Sequence, residues 1–301
     1  MMQNILDARA ETFSFQHAQE MGNHMAQEIG LLAHQALILE VNTTPKPGLV
    51  DQRNCGAHKD MDISLFYRSA VAIAPYFIRF AAQGYREAKL QEEGLLAGIR
   101  HIGIEAEQTM LSITCGVNTH KGAIFTLGIL NYCCGRLIAQ QHALTPRLIC
   151  ATAGHICKGI EKELLDLPPD THGACCHRIY GMNGIRGEAA NGFPSILLYA
   201  LPSLSDRNGS DNERSCLALL HLIAHVEDTN VYFRTGRAGA EYCKRAARSF
   251  LSRYHPGCSD WLPALLALDD DCIERNLSPG GCADLLSAAW FLYKVQDLSL
   301  E

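Results

Sequence analysis

Apolar residues recur along this chain at steps of three and four, and strand-like alternation is hard to find. Met25, Ile29, Leu32, Ala36 and Leu39 form one such series, and Phe66, Ala70, Ile73, Phe77 and Phe80 form another. The step returns at Leu127, Leu130, Cys134 and Leu137, at Cys216, Leu219, Ile223 and Val226, and at Leu285, Ala289 and Leu292. Each series predicts a helix with one buried face. Thr145 before Pro146 and Ser278 before Pro279 read as N-caps followed by proline at the first helical position. About nine or ten helices follow from this pattern, joined by loops rich in Gly, Pro, Asn and Asp, which predicts an all-α, multi-helix bundle. No repeat period emerges. The most loop-like stretches, 167–176 and 203–212, are too short for domain linkers, so a single domain is expected.

Composition narrows what such a bundle can do. The 301 residues are 48% hydrophobic and 19% charged, which supports a sizeable core and excludes disorder. With 26 Lys and Arg against 32 Asp and Glu the formal net charge is −6, so the chain carries no overall basic footprint for nucleic acid or an anionic membrane. Any anionic substrate must be held by a local basic cluster. Thirteen cysteines occur without a C-x-x-C pair, which argues against a zinc finger. The odd count, and an N-terminus with no apolar leader, lead us to expect reduced thiols packed as small hydrophobes in a cytoplasmic protein. No apolar run approaches the roughly 18 residues of a membrane span.

Titratable groups and turn formers concentrate in five short runs between these helices. The first, EVNTTPKPGLVDQRNCGAHKDMD from Glu40 to Asp62, crowds Lys46, Asp51, Arg53, His58, Asp60 and Asp62; its bland reading is a solvated loop with Asp62 capping the next helix. In the second, GVNTHKG from Gly116, Thr119 could cap a helix whose first turn carries His120 and Lys121, an anion site in the making. The third, YGMNGIRGEAANGFP from Tyr180, supplies Arg186 and Glu188, and the fourth, EDTNVYFRTG from Glu227, supplies Asp228, Asn230 and Arg234. The fifth, NLSPGGCADLL from Asn276, sets free backbone amides at Gly280 and Gly281 beside Asp284, where phosphate and Mg²⁺ could meet. The bland reading of Asp284 is compensation of a helix dipole. No Walker A loop occurs, which disfavours P-loop phosphoryl transfer. His221 and His225 lack the intervening glutamate of a zinc hydrolase, and His172, Cys175, Cys176 and His177 match no trusted metal spacing.

TPKPGLVD from Thr44, GAHKDMD from Gly56, GVNTHKG from Gly116, GIRGEA from Gly184, DTN from Asp228 and SPGG with ADLL from Ser278 occur in this order, and together they resemble the triphosphoribosyl-dephospho-CoA synthase family. The likeness covers nearly the whole chain after about residue 30, leaving residues 1–25 as a variable extension into the first helix and 26–301 as the family's helical domain. Cys282 stands where a serine is usual, and Arg234-Thr235-Gly236 replaces an arginine followed by two glycines.

The resemblance implies an enzyme that moves the 5-triphosphoribosyl group of ATP to the 2′-hydroxyl of 3′-dephospho-CoA and releases adenine. The product would be the prosthetic-group precursor for citrate lyase or malonate decarboxylase, passed to a phosphoribosyl-dephospho-CoA transferase acting on an acyl carrier protein subunit. A homodimer stays open. Breaking the N-glycosidic bond builds positive charge on C1′, as in glycoside hydrolysis, so the site needs a base, a partner for departing adenine and a clamp for about four negative charges. The active site is expected in the inter-helix loops. Lys46, Arg53, Asn118, Lys121, Arg186, Asn230, Arg234, Ser278, Gly280 and Gly281 are candidates for substrate binding; Asp60, Asp62, Asp228 and Asp284 for Mg²⁺; Glu188 or Asp51 for the base; His58 or His120 for the adenine. Two other readings fit the same loops: a Mg²⁺-dependent hydrolase of nucleotide or ADP-ribosyl glycosidic bonds, and a helical binding protein docking an acyl carrier subunit.

Overall fold

The computed structural model describes residues 2–90, 95–168, 171–206 and 208–298, with side chains from residue 20 onward. Pro169, Asp170 and Arg207, within the two loop-like stretches, lie outside the described residues, as do the side chains of most of the N-terminal extension. Among the described residues there are helices and no strands: α1 (Met2–Asn42), α2 (Ile63–Arg86), α3 (Leu95–Ile113), α4 (Lys121–Ala139), α5 (Pro146–Ile156), a 3₁₀ segment (Ile160–Leu165), α6 (His172–Tyr180), α7 (Gly184–Ala190), a π turn (Ile196–Ala200), α8 (Leu201–Ser205), α9 (Asp211–His225), α10 (Thr229–Leu251), α11 (Trp261–Glu274) and α12 (Gly280–Val295). The all-α expectation holds. The five periodic series mark α1, α2, α4, α9 and α12, whereas α6 to α8 and the short turns are too brief to display a repeat of 3.6 residues.

The centre of the bundle is α4. Most of its residues are buried on every side, against α1, α2, α3, α5 and α12, which explains its apolar character all round. This helix is long and apolar enough to cross a membrane by composition alone, so the expectation that no apolar run approaches that length is corrected; its window is 83% buried inside the protein, as a core helix is. At its crossing with α2 the backbones nearly touch. A Cβ on Gly84 would lie 1.9 Å from the Tyr132 carbonyl oxygen, and one on Gly135 the same distance from that of Ala81. The core is one contiguous cluster of apolar side chains that includes the buried thiols Cys133, Cys134, Cys150 and Cys157; all thirteen cysteines are free.

Thr145 caps α5 as expected, its hydroxyl accepting from the Leu148 amide, with Pro146 at the first helical position. Two other expected caps fail. α12 begins only at Gly280, with Pro279 outside the helix, and Ser278 turns its hydroxyl to His58 Nε2 at 2.7 Å. α4 begins after His120, and Thr119 spends its hydroxyl on Ser69. In both cases a tertiary partner outcompetes the local amide. The fourth polar run is also mostly helix: Asp228 caps α10, which runs through Asn230 and Arg234 and breaks stride at Gly236, where φ is 67°.

Candidate active site

A cavity of about 1350 Å³ opens between the helix ends. It exceeds the roughly 300 to 1,000 Å³ of a typical single-ligand pocket. Each of the five polar runs contributes to its lining, with additional residues from α1, α3, the 3₁₀ segment and α9.

Its floor is acidic and already partnered. Lys46, 2% exposed, gives its ammonium to the Glu40 carboxylate at 2.6 Å and to the Glu40 carbonyl at 3.0 Å. Asp228 accepts from the Asn230 amide on Oδ1 and from the Cys282 amide on Oδ2, both at 2.8 Å, tying the start of α10 to the start of α12. Asp284 packs against Gly122 at the start of α4 and stays partly open to the cavity. Only glycine fits beneath it, since a Cβ on Gly122 would lie 1.9 Å from Asp284 Oδ2. Burial, and then the neighbouring Glu40 and Asp228 carboxylates, hold the Asp284 carboxyl well above the usual range. Burial likewise raises Asp228, against the amides that lower it.

The fold crowds the expected phosphate cradle at the start of α12. The amide of Gly280 is bonded to the Ser278 carbonyl at 2.9 Å, and Asp228 lies over Gly281, 3.0 Å from where its Cβ would be. The positive ends of α4 and α12 therefore face the protein's own carboxylates, and a bare phosphate brought to either would meet like charge.

The walls are basic. On one side Arg186 sits 3.7 Å from Glu163, which also pairs with Arg100, while Lys121 reaches Glu107 at 2.5 Å. The Arg186 guanidinium also lies 5.6 Å from the centre of the Phe125 ring. Asn118 accepts from the Lys121 amide and shapes the turn into α4. On the other side Arg234 donates to the carbonyl oxygens of Ala57 and Asn276 and to the Asn276 side chain, beside His58 and the exposed Asp60. Burial, and then Arg234, lower the His58 pKa. Asn230 faces His172, its Oδ1 3.0 Å from Nδ1.

Two cavity residues have the character of acid–base or hydrogen-bonding groups. Glu188, on α7 rather than in a loop, accepts from Ser195 Oγ at 2.7 Å and from the Ser195 amide at 3.2 Å. Burial raises its pKa, with the Ser195 bonds opposing. His120 is 2% exposed, and burial followed by the nearby Lys46 lowers its pKa to about 3. It is a neutral imidazole at physiological pH, so it can donate a hydrogen bond but cannot serve as a ready imidazolium acid.

Three expected site residues lie outside the cavity lining. Asp51 folds the first loop, accepting from the amides of Lys46, Arg53 and Asn54 at 2.7 to 3.1 Å. Arg53 pairs with Asp269 and Asp270 of α11. Asp62 caps α2, accepting from the Leu65 amide at 2.8 Å, and is exposed. In this structure each of these side chains is engaged by the loop or by a neighbouring helix. Conversely, Glu40, Ser69, Arg100, Glu163 and Ser195 line the cavity or support its residues without having been singled out, because each sits in or beside an ordinary helical pattern with no motif to mark it.

Among the described residues no three His, Cys, Asp or Glu side chains converge as a ready-made metal centre. The chemistry of the floor nevertheless fits a hard cation entering with a polyphosphate. Asp284 is a carboxylate with carboxylate neighbours and, among the described residues, no ion-pair partner, and Mg²⁺ typically takes one or two protein carboxylates plus substrate phosphates. Asp60 stands at the rim, 63% exposed and 3.8 Å from His58, and Asp62 is away from the cavity.

No solved structure matches the chain. The sequence model for CitG, ATP:dephospho-CoA triphosphoribosyl transferase, matches residues 26–301. That range takes in every residue of the cavity described above. The chain belongs to the CitG family and is a triphosphoribosyl transferase that uses ATP and dephospho-CoA to form the precursor of the citrate lyase prosthetic group.

Proposed function

We propose that Glu188 is the general base that takes the proton of the 2′-hydroxyl of 3′-dephospho-CoA as that oxygen attacks C1′ of the ATP ribose. The observation that carries this reading is a cavity-lining carboxylate whose pKa is raised by burial and whose hydrogen-bond donor among the described residues is Ser195. Such a group is more basic than a free glutamate, as a base requires. The C1′–N9 bond breaks with its electron pair on adenine, the C1′–O2′ bond forms, and the triphosphate stays on the transferred ribose. Lys121, Arg186 and Arg100 on one wall and Arg234 on the other hold the phosphates of the two substrates, exchanging their present carboxylate and carbonyl partners for phosphate oxygens. His120 hydrogen-bonds the departing adenine.

Mg²⁺ would be held by Asp284, with Asp228 beside it, and would supply charge neutralisation between this acidic floor and the triphosphate. Calorimetric titration with ATP tests that assignment without turnover: Mg²⁺ tightens ATP binding to the natural protein, and Asp284→Asn loses most of that effect. An Asp284→Asn protein that keeps it contradicts the assignment. The precursor is then the substrate of a phosphoribosyl-dephospho-CoA transferase acting on an acyl carrier subunit, an order that follows from its triphosphate, whose α-phosphorus can take a carrier hydroxyl with release of pyrophosphate.

The functional test is adenine release followed by chromatography with ATP and Mg²⁺, with dephospho-CoA, with CoA, or with no acceptor. Adenine appearing only with dephospho-CoA, together with an adduct of the matching mass, supports transfer to the 2′-hydroxyl. Equal release without acceptor supports the hydrolase reading instead.

A further inference from the structure

Behind the cavity wall a line of three polar side chains ends on a nitrogen with nothing to bind. Thr119 Oγ1 donates to Ser69 Oγ at 2.7 Å, and Ser69 Oγ lies 2.8 Å from His120 Nδ1. Ser69 is fully buried, and His120, likewise buried, lines the cavity. His120 Nε2 is buried without a hydrogen-bond partner among the described residues. The ring is fixed from the other side by the edge of Phe66, with ring centres 5.0 Å apart at 77°.

The direction of the first bond sets the rest. A serine hydroxyl has one proton to give, and Ser69 already receives one from Thr119. If Ser69 also accepted from Nδ1–H, its own proton would be left unpaired in a fully buried position, which is unfavourable. If it donates to Nδ1, both hydroxyl protons and Nδ1 are paired, the imidazole proton must sit on Nε2, and that N–H is the one donor of the line left for a ligand.

We infer that Thr119 and Ser69 are positioning residues that lock His120 as the Nε2–H tautomer, so that a neutral imidazole presents one N–H donor to an acceptor nitrogen of the departing adenine. This rests on the reading of the site given above. The donor stabilises the electron pair that adenine keeps as C1′–N9 breaks; the hydroxyl proton of the acceptor goes to Glu188 and then to solvent, from which the released adenine is protonated. A fixed neutral donor needs no rearrangement as charge develops on the leaving group. The low pKa of His120 agrees with this role, since the ring is already uncharged.

The test pairs a spectroscopic readout with kinetics. In ¹⁵N-histidine-labelled protein, with the His120 signals assigned by their loss in His120→Gln, the ring is expected as the Nε2–H tautomer, shifting toward a mixture in Ser69→Ala. Ser69→Ala is expected to lower kcat by about ten- to a hundredfold, below the full loss of a directly placed donor, with KM for ATP nearly unchanged. Thr119→Ala should have a smaller effect of the same kind, and Thr119→Ser should restore the natural rate. With 3-deaza-ATP and 7-deaza-ATP, one analogue should react slowly with the natural enzyme, and Ser69→Ala should add little to that loss. An Nδ1–H tautomer in the natural protein, or an unchanged kcat in a folded Ser69→Ala protein, overturns the proposal. If the assignment of Glu188 fails instead, the tautomer and the coupling to the adenine analogue stand unaffected.

Discussion

At the floor of the cavity the charged groups are held by the protein itself: Lys46 by Glu40, Asp228 by the amides of Asn230 and Cys282, and Asp284 against Gly122. On the walls the long basic side chains Lys121, Arg100 and Arg186 rest on carboxylates at or near the surface, and Arg234 on carbonyls of two loops. The difference separates two tasks. The floor's contacts join the starts of α4, α10 and α12 and are part of folding, whereas the walls hold cations whose present partners a polyphosphate can replace. Changes to the floor should therefore appear in stability and in the chemical step, and changes to the walls in substrate affinity.

The largest effect expected from this contrast is that of Lys46→Met. It leaves the buried Glu40 carboxylate without its cation, and breaking a buried pair by removing one partner costs about 3 to 5 kcal/mol. Thermal or urea unfolding measures this, and a Lys46→Met protein as stable as the natural one would erase the distinction. A second effect is in pH. Glu188 must be ionised to act, and burial raises its pKa, so activity is present above that raised value and is lost as pH falls through it, at a higher pH than the ordinary value of about 4.3 would give. Ser195→Ala removes bonds that favour the ionised form and should move this limb to still higher pH in a profile of kcat/KM.

Smaller effects sharpen the picture of the walls. Arg234→Gln should raise KM by about tenfold, the loss of one charge-assisted hydrogen bond, with kcat little changed. Lys121 is more than half exposed, so Lys121→Gln should raise KM only a few-fold, an effect that shrinks as salt is added. Steady-state kinetics at two ionic strengths checks both. A fall in kcat with KM unchanged, for either variant, would assign the wall residues to chemistry rather than binding.

Much of this was legible in the sequence because long helices announce themselves by period, and because the polar runs between them are the segments that meet at the cavity. What the sequence hid were competitions for a single group. Asp51, Arg53, His58 and Asp60 share one loop, yet backbone amides claim Asp51 and α11 claims Arg53, while His58 and Asp60 face the cavity. Ser278 and Thr119 carry the pattern of helix caps, yet His58 and Ser69 bind them more closely in space than any local amide. The amides at the starts of α4 and α12 read as phosphate cradles, and nothing local announces that the fold also brings Asp284 and Asp228 against those helix starts from distant parts of the chain. Arg100 and Ser69 lie inside amphipathic helices, where nothing local separates a functional side chain from a solvated or buried one.

The assignment of Glu188 is tested most directly by replacing it with alanine and supplying a small carboxylate from solution. In Glu188→Ala, adenine release with ATP and dephospho-CoA should fall by about 10² to 10⁴, the usual contribution of a general base, and added formate should restore part of the rate, while Glu188→Gln should lose the same activity. Release at the natural rate in a folded Glu188→Ala protein, or a loss in Glu188→Ala that formate leaves untouched and Glu188→Gln does not share, would contradict a base at this position.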